Sequence, residues 1–344
     1  MKSLPFLLAF LSSVTIAVAQ TEKAPFLTRS FGKNSFKQVS VSTSGGSIEV
    51  TGSDNAEPHI EVYIKGSSGI GELSKEEIQK RLDEYYELSI DVANNQLTAS
   101  AKTKQNNIDW KKGLSISFKV FAPKAVNTDL KTSGGSIHLA DLSGDQQFKT
   151  SGGSLHVGNI TGNIQGKTSG GSITVKNSEG SNIDLNTSGG SIHADNCKGD
   201  IKLNTSGGSL DLSNLKGTIK AATSGGSVHC LGINGELTVH TSGGSVSLSD
   251  HVGSLAASTS GGSINATIKE LGKFVTLSNS GGNVNLILPE NKGLSLDLHG
   301  DKIKTDRLNN FSGTADDDKV SGTVNGGGVP ITVKASSGRV TVKL

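Results

Sequence analysis

A pentapeptide repeated at a nearly constant interval is the feature that most restricts how this chain can fold. Thr-Ser-Gly-Gly-Ser occurs nine times, and a degenerate copy begins at Asn279. The nine copies begin at Thr43, Thr132, Thr150, Thr168, Thr187, Thr205, Thr223, Thr241 and Thr259. From Thr132 onward the copies are 18, 18, 19, 18, 18, 18, 18 and 20 residues apart. A short fixed period is typical of solenoids, in which each repeat packs on its neighbours.

Each unit contains two stretches in which apolar residues alternate with polar ones. Counting the Thr as position zero, positions five and seven are apolar, as at Ile137 and Leu139, and a glycine recurs at position twelve, as at Gly144. Alternation with a period of two indicates strands with one side facing inward. A helix-containing leucine-rich repeat needs roughly 20 to 29 residues and a propeller blade about 40 or more. The sequence therefore predicts an all-β fold, a single-stranded parallel β-helix (β-solenoid) with 18-residue rungs.

The Gly-Gly pair of the pentapeptide is expected to form a corner between strands. Gly reaches positive φ without the penalty that a Cβ atom imposes. The Thr and Ser hydroxyls are expected to stack on identical neighbours in adjacent rungs. A phosphate-binding loop is the alternative, but it requires a following helix with a Lys in place, and no copy is followed by a helical pattern.

The segments outside the regular repeats predict a signal peptide and two caps. Residues 1–19 combine Lys2, an apolar stretch and the small-x-small pattern before a predicted cleavage after Ala19. Residues 20–130 are predicted to form an N-terminal cap and first rung with an inserted helix over 75–85, which begins with a Ser-Lys-Glu-Glu capping box at Ser74. Residues 131–293 are predicted to be regular repeats, and residues 294–344 C-terminal rungs and a cap.

Taken with these signatures, the chain resembles a known group of bacterial proteins. The first Gly-Ser-Ile-x-Val rung, the inserted polar helix, the serial Ser-Gly-Gly-Ser-Ile rungs and the closing strands are similar to the bacterial putative-adhesin β-helix family, a domain of unknown function like an autotransporter-adhesin head. A Val-x-x-Pro-like strand, Val120 to Pro123, also carries the resemblance. The closing stretches that carry it are Val324-Asn325-Gly326-Gly327-Gly328, Ile331-Thr332-Val333 and Ser337-Gly338-Arg339-Val340. The resemblance implies a right-handed single-stranded β-helix at the bacterial cell envelope, with no established enzymatic activity.

Composition and residue spacing indicate few candidate catalytic or ligand-binding residues. With 33 basic and 31 acidic residues, the net charge of +2 indicates neither nucleic acid nor an anionic membrane surface as a partner. No apolar run approaches the roughly 20 residues that a membrane span needs, so we expect no transmembrane segment. A β-helical carbohydrate-active enzyme would need two nearby carboxylates, and positions six and fifteen of successive units carry no such pair. We therefore expect no catalytic residues, no cofactor and no enzymatic activity.

One outward column has the composition of a metal site. His193, Asp211 and His229 occupy position six of three successive units, and two His with one carboxylate are a known ligand set. The outer two Cβ atoms are expected to lie about 9.6 Å apart by strand spacing, which disfavours metal binding. A solvated polar face is the preferred interpretation, and the metal site remains the alternative.

The two cysteines, Cys197 and Cys230, could suggest a disulfide in an exported protein. They occupy different positions two units apart, at least about 9 Å by strand spacing and beyond the roughly 7 Å limit for a bridge. We expect two buried free thiols in place of Ile or Leu.

The sequence thus predicts an exported, non-enzymatic β-solenoid that presents a rigid polar surface, as an adhesin or a cell-envelope scaffold. Its expected partner is an unidentified envelope or extracellular surface ligand, and its expected location is the periplasm, the cell surface or the medium. Two alternatives stay open, namely a β-helical carbohydrate-active enzyme and a structural element that assembles through its ends.

Overall fold

The computed structural model describes residues 24–33, 35–67, 72–105, 109–290 and 292–344, so the predicted signal peptide and its cleavage site lie outside it. The N-terminal part contains one α-helix, α1, and one 3-10 turn among seven strands. These elements are β1 Leu27–Ser30, β2 Gln38–Thr43, β3 Ile48–Gly52, β4 His59–Gly66, α1 Lys75–Tyr85, β5 Tyr86–Ala93, β6 Gln96–Thr103, the 3-10 turn Trp110–Lys112 and β7 Leu114–Ala122. The predicted all-β class and the predicted inserted helix are confirmed.

The capping box begins the helix as the sequence predicts. The Ser74 hydroxyl accepts a hydrogen bond from the Glu77 amide at 3.2 Å, which satisfies one of the four backbone N–H groups left without partners at a helix start. Ile78, Leu82 and Tyr85 are buried on one side of the helix. This side anchors the insertion against the strands.

The repeat region is a continuous ladder of parallel strands. Its strands are β8 Asn127–Thr132, β9 Ile137–Ala140, β10 Gln146–Lys149, β11 Leu155–Gly158, β12 Ile164–Lys167, β13 Ile173–Asn186, β14 Ile192–Asn204, β15 Leu210–Ser213, β16 Lys216–Thr223, β17 Val228–Leu231, β18 Asn234–Thr241, β19 Val246–Thr259, β20 Ile264–Asn279 and β21 Val284–Ile287. Leu155 pairs with Ile137 on one side and Ile173 on the other. Equivalent positions of successive units are therefore hydrogen-bonded neighbours.

The one 19-residue interval is absorbed locally. Between β13 and β14 the register shifts at Gly180/Asn182, so that Ser181 has no cross-strand partner. Before and after this bulge the pairing keeps equivalent positions opposite one another, as for Ile173 with Ile192 and Ile183 with Ile201. A bulge accommodates one extra residue without moving the remaining side chains to the wrong face.

At both ends of the ladder, the order of the strands in space differs from their order along the chain. The first unit, β2 and β3, lies between β6 and β7 of the insertion and β8 and β9 of the repeats. The C-terminal strands are β22 Leu294–His299, β23 Lys302–Thr305, β24 Phe311–Ala315, β25 Lys319–Val324, β26 Val329–Ala335 and β27 Arg339–Lys343. Of these, β26 and β27 pair with β20 and β21, while β22 and β23 lie further out. The chain thus returns to the ladder at each end.

Antiparallel strands cover the outermost parallel ones. At the N-terminal end β4 pairs antiparallel with β7 and β5 with β6, and at the C-terminal end β25 pairs antiparallel with β22 and β24. Uncovered parallel edges would offer free backbone groups to other chains. These antiparallel strands therefore act as the caps that solenoids require.

The core is narrow and mostly aliphatic. Ile192, Ala194, Ile201 and Leu203 of one unit are all buried, and each lies on its counterparts above and below. Buried aromatic side chains lie mostly near the N-terminal end. Phe148 is accommodated because the next unit has Gly166 opposite it, where a Cβ atom would lie 2.3 Å from the Phe148 ring.

The explanation predicted for the Gly-Gly pair is wrong. None of the pentapeptide glycines has a φ in the left-handed region. The second glycine of each pair is instead required by close backbone packing: a Cβ at Gly208 would lie 2.1 Å from the Gly190 carbonyl oxygen. At the preceding Gly207 the nearest atom to a Cβ would be the Gly189 oxygen, at 3.5 Å. Successive corners thus stack too closely to admit a side chain at the second glycine of the pair.

The pentapeptide threonine joins neighbouring corners. The buried Thr205 hydroxyl donates to the Gly190 carbonyl oxygen at 2.8 Å and accepts from the Gly208 amide at 3.3 Å. The same donation to the preceding unit is made by every threonine from Thr132 to Thr259. Asn279, in the degenerate copy, makes it through its side-chain amide at 2.8 Å. As predicted, the pentapeptide threonines lie opposite identical neighbours, as Thr223, Thr241 and Thr259 do, and their hydroxyls bond to backbone groups of the adjacent corner.

Left-handed backbone occurs at two other places in most units. One is the glycine at position twelve, for example Gly217 with φ of 126°. The other is position nine, which carries Asp or Asn with φ of 49 to 58° in six units and Gly232 with φ of 65° in another. Members of this column are Asp141, Asn159, Asn177, Asn196, Asn214 and Asp250. Asn and Asp tolerate this conformation better than other side chains, and Asn159 also donates to Asp141 at 2.9 Å.

Position ten of successive units forms a further column of inward side chains. Cys197 is buried because it belongs to this column. This column is buried and contains Leu142, Ile160, Ser178, Cys197, Leu215, Ile233 and His251. Cys230 instead lies between Leu212 and Leu248 at position seven. Both thiols are buried and unbridged, in agreement with the prediction. Burial raises the pKa of the Cys197 thiol and raises that of Cys230 to about 12, so neither is a reactive thiolate at neutral pH.

Candidate functional site

The outward residues at position six form the polar surface that the sequence analysis singled out. We call six of them the histidine column: His138, His156, Thr174, His193, Asp211 and His229. Each is paired in register with the next, so their Cα atoms are about 4.8 Å apart. The column holds four of the eight His residues of the chain, and inward neighbours such as Ile192 and Leu210 fix its strands in the core.

The first two members interact with each other. The imidazole rings of His138 and His156 are stacked, with centroids 4.5 Å apart and an interplanar angle of 14°. Partial burial, and secondarily the charge of His138, lowers the pKa of His156. Two rings at this distance are unfavourable when both are protonated. His156 is therefore expected to be neutral at physiological pH, and the two stacked rings present a flat imidazole surface.

The column continues into a polar groove at the N-terminal cap. Glu49 is paired in register with both His138 and Lys119, and its carboxylate lies 3.5 Å from the Lys119 ammonium group. The groove is lined by Ser47, Glu49, Tyr63, Ser117, Phe118, Lys119 and His138. Hydroxyl, carboxylate, ammonium and imidazole groups thus line one open surface, which suits hydrogen bonding to a polar ligand.

The structure brings together two of the three residues considered for a metal. Nδ1 of His193 lies 3.0 Å from Oδ2 of Asp211, and about half of each side chain is exposed. Asp211 and His229 are neighbours in register, but no ion pair joins them within the described part of the chain. The described residues also contain no cluster of three or more His, Cys, Asp or Glu side chains positioned to hold a metal ion.

We expect the His193, Asp211 and His229 column to bind no metal. Zinc or copper should leave the melting temperature of the native protein unchanged, because only a ligand that binds the folded state stabilises it. The variant with His193→Gln and His229→Gln should melt within a few degrees of the parent, since an exposed ion pair contributes about 0–1 kcal/mol. Scanning calorimetry with and without zinc measures both. A zinc-dependent increase that the double variant lacks would establish a metal site.

A buried histidine outside this column has a structural role. His251 is fully buried at position ten, with Nδ1 3.1 Å from the Ile233 carbonyl oxygen and Nε2 3.2 Å from that of Ser254. Burial lowers the pKa of His251 although both carbonyls favour its protonated form. A neutral ring donates from one nitrogen only, so His251 contributes one hydrogen bond to the core and is inaccessible to ligands.

Sequence reasoning missed the polar corner at position nine. Asn side chains there form a second ladder, in which Asn177 donates to Asn159 at 3.3 Å and Asn196 donates to Asn177 at 2.8 Å. The next member, Asn214, donates instead to Asp195 at position eight, at 3.2 Å. The recurrence of Asn or Asp three residues before the position-twelve glycine is the signal that could have located it. Because these side chains bond to one another, this ladder stabilises the corner.

Comparisons with known proteins agree with a β-rich fold. The protein family described as Toastrack DUF4097 matches residues 233–343, about a third of the chain. This match supports a resemblance to a family of unknown function. No curated protein matches the chain. None of the helices in the described residues is long and apolar enough to cross a membrane.

Several crystal structures are similar at low identity. A putative adhesin from Bacteroides fragilis NCTC 9343 is 17% identical with a TM-score of 0.34, over 76% of this chain and 96% of that one. A putative adhesin from Parabacteroides merdae ATCC 43184 is 15% identical with a TM-score of 0.33, over 92% and 95%. A putative lipid binding protein from Parabacteroides distasonis ATCC 8503 is 14% identical with a TM-score of 0.34, over 77% and 97%.

Proposed function

We propose that this chain is an exported, non-enzymatic β-solenoid that holds a rigid polar surface toward a ligand at the bacterial cell envelope, as an adhesin or scaffold. In this proposal the repeats wind as a right-handed single-stranded β-helix with 18-residue rungs. The observation that carries it is the register: outward side chains of successive units lie directly opposite one another, as for His193, Asp211 and His229. Such columns repeat the same groups at a fixed spacing of about 4.8 Å.

A regular rigid surface favours binding, because little conformational entropy is lost when the ligand attaches. The residues of the two columns considered for catalysis also favour binding over hydrolysis. Position six contains His, Thr, Asp, Ser and Asn, and position fifteen places Asp184 beside Gln165 and Lys202. Neither column sets two carboxylates on neighbouring strands, the arrangement that glycoside hydrolysis would require.

The proposal predicts export together with attachment to a surface. The full chain, expressed in a bacterial host and fractionated, should appear in the periplasm, in the envelope or in the medium, shortened by its first 19 residues. The purified mature protein should bind intact bacterial envelopes or immobilised glycans without releasing sugar fragments. Immunoblotting, amino-terminal sequencing and a reducing-sugar assay provide the measurements. Retention in the cytoplasm with the leader intact, or release of reducing ends, would contradict the proposal.

A further inference from the structure

A second outward surface carries a concentration of positive charge that the net charge of the chain conceals. We call it the lysine face, and it consists of Lys131, Lys149, Lys167, Lys202 and Lys220. All five side chains are exposed. They lie on the strand that ends each unit, on a different side from the histidine column.

Three of these lysines are directly opposite one another. Lys149 pairs in register with Lys131 and with Lys167, so the Cα atoms of three lysines follow one another at about 4.8 Å intervals. Two units further on, Lys202 and Lys220 pair in the neighbouring column. From Lys131 to Lys220 the positive charge extends about 24 Å along the ladder by strand spacing.

The protein neutralises this charge only in part. Asp129 lies 2.8 Å from the Lys131 ammonium group. The other carboxylate on these columns, Asp184, pairs in register with Lys202 and accepts a hydrogen bond from the Asn186 amide at 2.7 Å. Like charges directly opposite on neighbouring strands destabilise a sheet. An anionic ligand bound across the column would remove this repulsion.

Neutral hydrogen-bonding groups accompany the lysines. Gln147 and Gln165 are exposed beside Lys149 and Lys167. At the N-terminal end of the lysine face a groove is lined by three lysines and several serine hydroxyls. Its lining residues are Ser42, Thr43, Ser44, Ala101, Lys102, Lys131, Thr132, Ser133, Lys149 and Ser151. Ammonium groups interleaved with hydroxyls and amides match a ligand that carries both negative charge and many hydroxyls.

We propose that the lysine face binds a linear glycan bearing carboxylates, a polyuronate, which lies along the ladder. This proposal rests on the proposed function, because the glycan would be the ligand of the exported solenoid. An extended polymer can place successive carboxylates opposite several lysines at once, and this multivalent contact compensates for the weakness of each exposed ion pair. The exposed residues named on this face include no aromatic or large aliphatic side chain, which favours a glycan over insertion into a lipid surface.

The test compares two triple substitutions that remove the same charge. The first is Lys131→Gln, Lys149→Gln and Lys167→Gln on the lysine face. The control is Lys176→Gln, Lys216→Gln and Lys343→Gln, three exposed lysines on other sides of the ladder. All six side chains are exposed, so both variants should keep the circular dichroism spectrum and the melting temperature of the parent.

Binding of the mature protein to immobilised polygalacturonate should weaken about tenfold or more in the first variant, since each exposed ion pair contributes roughly two- to fivefold. The control should stay within about twofold, and raising the salt from 0.05 to 0.5 M should weaken parental binding through screening. Neutral dextran should not bind. Equal loss in both variants, absence of polygalacturonate binding, or binding to phosphatidylglycerol vesicles in its place would overturn the proposal. If polygalacturonate fails while the protein still attaches to bacterial envelopes, this inference is wrong and the proposed function stands.

Discussion

Replacing Gly208 with Ala should destabilise the protein by about 3 kcal/mol or more, because the new methyl group has no space. Its Cβ would lie 2.1 Å from the Gly190 carbonyl oxygen and 2.4 Å from the carbonyl carbon. These are backbone atoms of the preceding corner, so the methyl group cannot be accommodated by a side-chain rotation. Displacing the Gly190 carbonyl to make room for the methyl group would also disturb the Thr205 hydroxyl, which donates a hydrogen bond to the carbonyl oxygen at 2.8 Å. Urea unfolding followed by far-ultraviolet circular dichroism measures the free energy.

The neighbouring glycine provides a matched control. At Gly207 the added Cβ would lie 3.5 Å from the Gly189 oxygen, an ordinary contact, and the backbone is not in the left-handed region. Gly207→Ala should therefore change the free energy of unfolding by no more than about 1 kcal/mol in either direction. Similar losses for the two substitutions would show that the corner requires glycine for some reason other than close packing.

The pentapeptide illustrates which parts of the fold can be read from one chain. Its period predicts the pairing of Leu155 with Ile137 and Ile173, because identical units stack with equivalent positions opposite one another. The inward positions follow from alternation, and the helix start follows from Ser74 and Glu77. These predictions succeed because each depends on residues that are close in sequence or related by the repeat.

The order of strands at the two ends could not be predicted in this way. The unit containing β2 and β3 lies inside the ladder, and the later β6 and β7 pair on its outer side. Which strands pair at the ends depends on which distant segments cover each other's edges. The local sequence of β6 or β7 contains no pattern that indicates this pairing. The role of Gly208 was misjudged for a related reason, since the close approach of Gly190 involves a neighbouring unit.

The two candidate binding surfaces also differ in whether the sequence predicts them. The histidine column could be predicted because position six was compared across units, and the structure adds the stacking of His138 on His156. The lysine face was overlooked because the net charge of +2 averages over all sides of the molecule. The pairing register shows that Lys131, Lys149 and Lys167 lie directly opposite one another on successive strands, with Asp129 beside only the first of them. Segregation of charge among columns is a property of the folded ladder.

Deleting one whole repeat should leave a folded protein, whereas deleting half of one should not leave the ladder intact. Removal of residues 205–222 joins Asn204 to Thr223, which then replaces Thr205 opposite the Gly190 carbonyl oxygen. Since each unit contacts mainly its neighbours, we expect a soluble β-rich protein that is about 1–2 kcal/mol less stable and melts within about 5 °C of the parent. Circular dichroism and scanning calorimetry measure the outcome.

Removal of residues 205–213 is the contrasting deletion, because it takes out one pentapeptide and β15 but leaves β16. The chain must then either place β16 over β15's former neighbours, with turns opposite strands, or extrude it as a loop. Extrusion would expose Leu215 and Ile219, which are fully buried in the parent. Either arrangement forfeits burial worth roughly 1.5–3 kcal/mol for each large aliphatic side chain, so this variant should unfold at a markedly lower temperature or aggregate. Equal stability of the two deletions would mean that the 18-residue unit is not the element by which this ladder is built.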